Sequence, residues 1–240
     1  MNIEANSNSP TLKQAATDAL RELILKGRIR PGEQLRERDV AEMIGVSRTP
    51  LREALNQLER EGLVESQPHR GYSVTAIDLK TGQQLLDLRR VLDGYAARLA
   101  ATAITQQGLD DLDAILAQLA VFEAMEKPSV DDLAEEVRIG LRIHEVIARE
   151  SGDAFLYETL KVLYGRLTLL IWVDVLWVDK WDDTRADHKE IVFAVEARDP
   201  ERAAAAAEAH VDRSRADLQR VIDAQTLLHG LNMPPSSRIR

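Results

Sequence analysis

The sequence predicts a mainly α-helical protein, with a winged helix-turn-helix at the N-terminus followed by an all-α antiparallel helical bundle. Aromatic residues make up only 4% of the 240 residues, whereas 45% of the chain is hydrophobic. Apolar residues recur at helical spacing along most of the chain, and strand-like alternation is confined to residues 63–77. We therefore expect one domain over residues 1–78, a helical domain over 79–228 and a flexible tail over 229–240.

Composition narrows the kinds of site that the chain can form. It contains no cysteine, which excludes disulfides, thiolate metal sites and cysteine nucleophiles and fits a cytoplasmic protein. The polar N-terminus lacks the layout of a signal peptide. The most apolar run, Leu167–Val178, carries Asp174 and has about half of the ~20 residues needed to span a bilayer. We expect this run to be a buried helix, and we expect no membrane partner.

The charge is unevenly distributed along the chain. The net charge of −9 argues mildly against nucleic acid, but the local balance matters more. Residues 1–78 contain 11 Lys and Arg against 12 Asp and Glu, whereas residues 79–240 contain 20 against 28. Between Lys26 and Arg52, seven cations face four acids. A local basic patch therefore lies on an acidic protein.

The N-terminal third contains three predicted helices. Leu12–Lys26 has the apolar spacing of an amphipathic helix. A short helix follows over Glu37–Ile44 and ends at Gly45, and the next helix begins near Arg48 and ends at Gly62. Two short helices joined by a tight glycine-containing turn form a helix-turn-helix.

The second of these two helices has a clear start and is followed by a predicted hairpin. Ser47 or Thr49 can cap the helix, and Pro50 is tolerated in its first turn because it has no N–H group to leave unsatisfied. The stretch LVESQPHRGYSVTAI then alternates apolar and polar residues on each side of a Pro-His-Arg-Gly turn. This pattern predicts a two-stranded wing.

Basic residues cluster where such a fold meets DNA. The first residues of the second helix enter the major groove, and Arg48, Thr49 and Arg52 lie there, away from the apolar face. Arginine suits bidentate contact with guanine, and the helix N-terminus with Ser47 can receive a phosphate. Arg38, at the start of the preceding helix, can reach the backbone or a base.

The wing tip adds His69 and Arg70, which can reach the adjacent minor groove. The alternative for Arg48 and Arg52 is that they pair with acids such as Glu53 and Glu59 on a solvated surface. The turn, cap, spacing and wing together favour the DNA-reading interpretation.

The motifs PGEQL, ERDVAE, GVSRTPLREAL and EGLV follow one another in order between Leu20 and Val74. In this order and spacing they closely resemble the signature of the GntR family of bacterial transcription regulators. The resemblance implies that Arg38, Arg48, Thr49, Arg52 and the wing around His69–Gly71 contact operator DNA.

After Asp78 the pattern is helical throughout, with breaks at Pro128-Ser129, Ser151-Gly152 and Asp199-Pro200. About six helices in an antiparallel bundle are expected. The predicted segments are Leu79–Thr105, Leu109–Glu126, Asp131–Glu150, Asp153 to about Val178, Thr184–Arg198 and Glu201–Leu228.

This second region resembles the FCD effector domain of the FadR subfamily, in its six-helix, VanR-like branch. DLRRVLDGYAARLAA looks like the opening helix of that domain, and IHEVIARESGD and DHKEIVFAVEARDPERA are similar to inner helices. The resemblance covers most of residues 79–225 and implies a small carboxylate effector.

Three histidines fall on separate predicted helices and continue their apolar stripes: His144, His188 and His210. They are expected to point inward and meet in one cavity, where three imidazoles suit zinc, nickel or a similar divalent metal. In the family, an Asp four residues before the first of these histidines completes the metal ligands, and here that position is Gly140. The alternative is that the histidines bind an organic effector or one another through water.

Other residues leave alternatives open. Arg89 lies where the family often places a cation near the effector, and it can instead form a surface salt bridge with Asp93. Trp172, Trp177 and Trp181 can line the pocket or a subunit interface.

The expected function is that of a ligand-responsive repressor, not an enzyme. It would act as a homodimer on an inverted-repeat operator of double-stranded DNA. The alternatives are a metal-dependent hydrolase with a three-His centre, and a winged helix that binds protein. The hydrolase lacks a carboxylate placed by motif as general base, and Arg48 and Arg52 argue against the protein-binding module.

Overall fold

The structure is a computed structural model that describes residues 11–25, 28–67, 70–76, 78–170 and 181–230. Between Ala76 and Ile77 the chain divides into two compact units. The described residues form nine helices and three strands, which confirms the predicted fold class.

The N-terminal unit is a winged helix-turn-helix with one strand more than predicted. The elements are α1 (Leu12–Leu25), β1 (Gln34–Leu35), α2 (Glu37–Ile44), α3 (Arg48–Arg60), β2 (Val64–Gln67) and β3 (Gly71–Val74). Strand β3 lies between β1 and β2 and is antiparallel to both, with Tyr72 opposite Leu35 on one side and opposite Ser66 on the other.

Helix α3 is held by its apolar face, as its spacing predicts. Leu51, Leu55 and Leu58 are fully buried and pack in the core that α1 also lines. Arg21 of α1 adds a bidentate ion pair with Glu61, at 2.9 and 3.0 Å from its Nη2. The opposite face of α3 is therefore fixed outward.

The turn between α2 and α3 depends on a glycine. Gly45 adopts a φ of 69°, in the left-handed region that disfavours side chains. Its N–H donates to carbonyls of the last turn of α2, and the N–H of Val46 donates to Ala41. This closes α2 and turns the chain toward α3.

The second unit is a helical bundle whose described residues form six helices. They are α4 (Leu79–Ala103), α5 (Gln106–Glu123), α6 (Val130–Glu150), α7 (Ala154–Thr168), α8 (Trp181–Glu196) and α9 (Pro200–Gly230). The N-terminus of α6 has a capping box between Ser129 and Asp132, and Asp78 and Asp153 cap α4 and α7. These caps are why the helices begin within a few residues of their predicted starts.

Helices α4 and α9 form an antiparallel pair. Side chains along α4 hydrogen-bond to α9 in reverse order: Gln83 to Gln219, Arg90 to Asp212 and Arg98 to Glu201. Residue numbers therefore fall along α9 as they rise along α4. Small buried residues line both helices, among them Ala97, Ala100, Ala203 and Ala207. Small side chains allow the two backbones to approach closely.

Some predictions reach beyond the described residues. Of the apolar run Leu167–Val178, Leu167, Leu169 and Leu170 are buried and Thr168 is half-buried. The predicted helix ends at Thr168, earlier than expected, and residues 171–178, with Trp172 and Trp177, lie outside the described residues. Helix α9 continues to Gly230, two residues past its predicted end, and residues 231–240 lie outside. Within the described ranges, every helix is too short or too polar to cross a membrane.

Candidate functional site

The exposed end of α3 presents the predicted DNA-reading residues. Arg48 and Thr49 occupy the first turn and are exposed. Ser47 takes the N-cap position with extended backbone, but its side chain makes no capping hydrogen bond. Ser47 therefore occupies the predicted capping position, but its exposed hydroxyl makes no hydrogen bond to the helix. The alternative that Thr49 caps the helix is wrong, because Thr49 is the second residue of α3.

The two arginines of α3 differ in their surroundings. Among the described residues, Arg48 has no hydrogen-bond or ion-pair partner. The Nε of Arg52 lies 3.1 and 3.0 Å from the two carboxylate oxygens of Glu37, the first residue of α2. The expected alternative partners, Glu53 and Glu59, do not hold either arginine. Sequence reasoning missed Glu37, because it lies 15 residues from Arg52 and approaches only through the turn.

Arg38 follows Glu37 on α2 and is exposed, with no partner among the described residues. It lies in the same region of the N-terminal unit as Arg48 and Arg52. Of the seven cations in the predicted basic patch, the three at the predicted DNA-reading positions thus comprise two arginines without a partner among the described residues and one arginine held by Glu37.

The wing is joined to α3 by a contact that the sequence did not reveal. The hydroxyl of Tyr72 donates to Oδ1 of Asn56 at 2.7 Å. Burial, then Glu59 and Glu37, raise the pKa of Tyr72, so its proton stays available. At the wing tip Arg70 and Gly71 are exposed, and His69 lies outside the described residues. In the sequence, the position of Asn56, one turn after Arg52 on the exposed face of α3, could have indicated this contact.

In the second unit, the structure brings together the three predicted histidines. His144 of α6, His188 of α8 and His210 of α9 are buried, and one ligand nitrogen from each lies within 4.8 Å of the others. Their ring centroids are 4.6–5.4 Å apart. The helical stripes therefore predicted their convergence correctly.

The histidines open onto a cavity of about 90 Å³. Its lining is mixed, with apolar residues from α5 and α6 and polar residues from α4, α6, α8 and α9. The lining residues are Arg89, Leu119, Glu136, Val137, Leu141, His144, Thr184, Arg185, His188, His210, Ser214 and Asp217. A cavity of this size suits a small polar molecule or a few waters.

Asp93 of α4 connects Arg89 to the histidine cluster. Its Oδ2 is 2.9 Å from Nε of Arg89 and 3.1 Å from Nδ1 of His144, and its Oδ1 accepts from the Tyr164 hydroxyl at 2.6 Å. Burial alone would raise the pKa of Asp93, but Arg89 and His144 outweigh burial and lower it below its ordinary value. The predicted Arg89–Asp93 pair exists, but it is buried and not on the surface.

The position of Asp93 determines which nitrogen of His144 faces the cluster. A carboxylate beside Nδ1 favours a proton there and leaves a lone pair on Nε2. That Nε2 is buried and has no hydrogen-bond partner among the described residues. An unpartnered buried acceptor is suited to a metal or a ligand donor.

Asp187 lies beside His210, but more loosely than Asp93 lies beside His144. Its Oδ2 is 3.5 Å from Nδ1 of His210, which is buried and has no hydrogen-bond partner among the described residues, and 2.5 Å from Nε of Arg213. Sequence reasoning missed Asp187, although it immediately precedes His188. A carboxylate therefore lies within hydrogen-bond distance of His144 and, at a longer distance, next to His210.

Gly140 stands where the family has the aspartate ligand, and the structure leaves little room for a side chain there. A Cβ atom at this position would lie 2.6 Å from Cε1 of His188, far closer than two carbon atoms approach. The ring of His188 thus occupies the space that a side chain at 140 would need. In this chain, a carboxylate at 140 requires displacement of His188.

The electrostatics of the cluster favour neutral imidazoles. Burial, followed by Arg89, lowers the pKa of His144 to about 3. Burial and the neighbouring histidines lower that of His188, and burial lowers that of His210. Neutral imidazoles offer lone pairs near pH 7, so the donor set fits a borderline divalent metal.

Comparison with known proteins agrees with both units. Residues 12–74 match the family model described as "Bacterial regulatory proteins, gntR family", and residues 84–213 match the FCD domain. A Paenarthrobacter nicotinovorans protein named as a probable D-xylose utilization operon transcriptional repressor is 31% identical over 189 residues, covering 78% of this chain and 80% of the relative.

Two Escherichia coli proteins extend the comparison. The HTH-type transcriptional repressor RspR of strain K12 is 27% identical over 201 residues, covering 83% of this chain and 86% of the relative. The solved structure of McbR/YncC superposes with a TM-score of 0.72 at 20% identity, covering 88% of this chain and 99% of that one. At this identity the superposition concerns the fold alone.

Proposed function

Since the chain belongs to the GntR family of bacterial transcription regulators and has the FCD domain of the FadR subfamily, we propose that it is a metabolite-responsive repressor. It binds an inverted-repeat operator as a homodimer and releases it when a small carboxylate enters the helical unit. The observation that carries this proposal is that one chain has an exposed, arginine-bearing helix in its N-terminal unit and, in its helical unit, a cavity lined by Arg89 and three buried histidines. The six-helix branch of the subfamily stays a prediction, because residues 171–180 lie outside the described part.

The DNA-reading roles follow from exposure and position. Arg48, at the first turn of α3, has no partner among the described residues and reads a guanine, whereas Thr49 contacts a neighbouring base or phosphate. Arg38 and the Ser47 hydroxyl contact the DNA backbone, which positions the helix. Arg70 and Gly71, with His69, bring the wing to the minor groove.

The effector role rests on Arg89 and the three histidines. Nε of Arg89 donates to Asp93. Its remaining N–H groups have no hydrogen-bond partner among the described residues and can bind a carboxylate at the cavity that Arg89 lines. His144, His188 and His210 would hold a divalent metal, which when bound supplies a positive charge for an effector oxygen. Because the chain offers no carboxylate at Gly140, the open ligand position falls to water or to the effector.

Effector binding and DNA binding are coupled by a free energy that acts in both directions. An effector that weakens DNA binding must itself bind less tightly to the DNA-bound protein. The family assignment does not favour the hydrolase alternative, and we expect no ester or amide turnover with added metal.

The DNA proposal is tested by selecting duplexes from a random-sequence library with the full-length protein. We expect an inverted repeat to emerge and a footprint to cover both half-sites at low salt. Binding without sequence preference would overturn the proposal.

The effector proposal is tested by native mass spectrometry with elemental analysis, followed by a thermal-shift screen of carboxylic acids on the purified protein. We expect one divalent ion per chain, lost in the His188→Ala variant, and stabilisation by a carboxylate that also releases the selected duplex. Stabilisation that survives removal of the metal by a chelator would favour the alternative in which the histidines bind the effector directly.

A further inference from the structure

We propose that Glu37 is a specificity-determining positioning residue, which holds Arg52 so that this arginine reads a base and not a phosphate. The inference rests on the proposed DNA-binding function and concerns a residue that is not among the predicted DNA contacts. The arginines on this surface differ in whether they have a partner. Arg38 and Arg48 are uncommitted among the described residues, whereas Arg52 is held by a carboxylate.

The geometry of the pair leaves the reading end of Arg52 open. Its single Nε–H is shared between both oxygens of Glu37, at 3.1 and 3.0 Å. A guanidinium has five N–H groups, and the four on the Nη atoms have no partner among the described residues. The Arg52 side chain is 64% exposed. The two Nη atoms form the end-on fork that fits O6 and N7 of a guanine.

Glu37 is itself firmly placed. It is the first residue of α2, where the helix dipole favours a negative charge, and its side chain is only 29% exposed. Helix α2 packs against α3 through the glycine turn. The carboxylate is therefore a fixed reference for Arg52, across the turn of the helix-turn-helix.

Two consequences for binding follow. An arginine held before binding loses less side-chain freedom when it docks on a base, which favours the correct sequence. In addition, the Glu37–Arg52 pair is electrically neutral, so Arg52 adds little to the attraction between the protein and arbitrary phosphates. Glu37 thus raises specific binding and restrains non-specific binding at the same time.

The test compares Glu37→Gln with Glu42→Gln in the full chain. Glu42 lies on the same helix and is exposed, so its substitution removes the same charge without touching Arg52. Each variant is measured by fluorescence anisotropy on a duplex selected by the wild-type protein and on a scrambled duplex, over a range of salt concentrations. The base preference at each position is measured by a second selection.

For Glu37→Gln we expect the ratio of specific to non-specific affinity to fall by about threefold to tenfold. We also expect the slope of log affinity against log salt on the scrambled duplex to steepen by about 0.9 per protomer engaged. Base preference should flatten only at the positions that Arg52→Lys also flattens. In an Arg52→Ala background, Glu37→Gln should leave the affinity ratio unchanged.

The inference is overturned if Glu37→Gln behaves like Glu42→Gln, or if it weakens all duplexes equally. Failure of the proposed function looks different, because the wild-type protein would then select no sequence at all. A thermal melt of each variant separates loss of folding from loss of specificity.

Discussion

The charged residues of the DNA-reading surface and those around the histidine cluster differ in burial and in whether they are paired. On the reading surface, Arg38 and Arg48 are exposed and uncommitted among the described residues. Around the cluster, Arg89 and Asp93 are buried and bound to one another. An exposed charge is inexpensive to keep unpaired because water solvates it, whereas a buried charge must be paired. The comparison predicts that substitutions on the surface affect binding, and that substitutions at the cluster affect folding.

The largest expected effect is at the buried pair. Asp93→Ala leaves Arg89 buried without its partner, which should lower the free energy of unfolding by about 3–5 kcal/mol. For a chain of this length that corresponds to a fall of about 6–20 °C in the melting temperature. The measurement is chemical and thermal denaturation.

The control is Asp87→Ala on the same helix, which breaks a partly exposed ion pair with Arg215. We expect it to cost less than about 1 kcal/mol. If the two substitutions cost the same, burial does not distinguish the two regions.

The second effect is on DNA binding. Arg48→Ala should cost about 1–3 kcal/mol of discrimination for each half-site and leave the free energy of unfolding within about 0.5 kcal/mol of wild type. The measurement pairs anisotropy on the selected duplex with denaturation. Arg60→Ala, at the last turn of the same helix, is the control and should bind normally. A loss of stability in Arg48→Ala would contradict the expectation that substitutions on the DNA-reading surface affect binding and not folding.

The third prediction concerns the close approach at Gly140. Gly140→Ala should improve helix propensity by about 1 kcal/mol, but crowding against His188 should outweigh it by about 1–3 kcal/mol. In a His188→Ala background the same substitution should therefore stabilise the protein. Denaturation of both single variants and the double variant measures the coupling, and additive values would show that the two residues do not collide.

The smallest effect is expected where the wing meets α3. Tyr72→Phe removes the hydrogen bond to Asn56, a partly solvated contact, and should cost about 0.5 kcal/mol in the free energy of unfolding. Asn56→Ala should cost a similar amount, and the double variant should cost no more than either. An additive double variant would contradict the contact.

The sequence predicted the helices and strands better than the side-chain contacts between them. Helices α2 and α3 follow from local spacing and glycine, and the convergence of His144, His188 and His210 follows from helical stripes. Strand β1 was missed because two residues are too few to show alternation. The contact between Glu37 and Arg52, and that between Asp187 and His210, join separate elements. Such contacts depend on how those elements pack, and no local spacing encodes this.

The contact between Gly140 and His188 also limits how the site can change by mutation. Glycine and aspartate codons can differ by a single base, so a carboxylate at position 140 is one nucleotide substitution away. Sterically the step is longer, because the ring of His188 fills the space that the new side chain needs. Conversion of the three-histidine site into one with a carboxylate therefore requires the ring of His188 to turn away before an aspartate at position 140 can serve as a ligand. A single nucleotide substitution is thus not enough to convert one kind of sensor into the other.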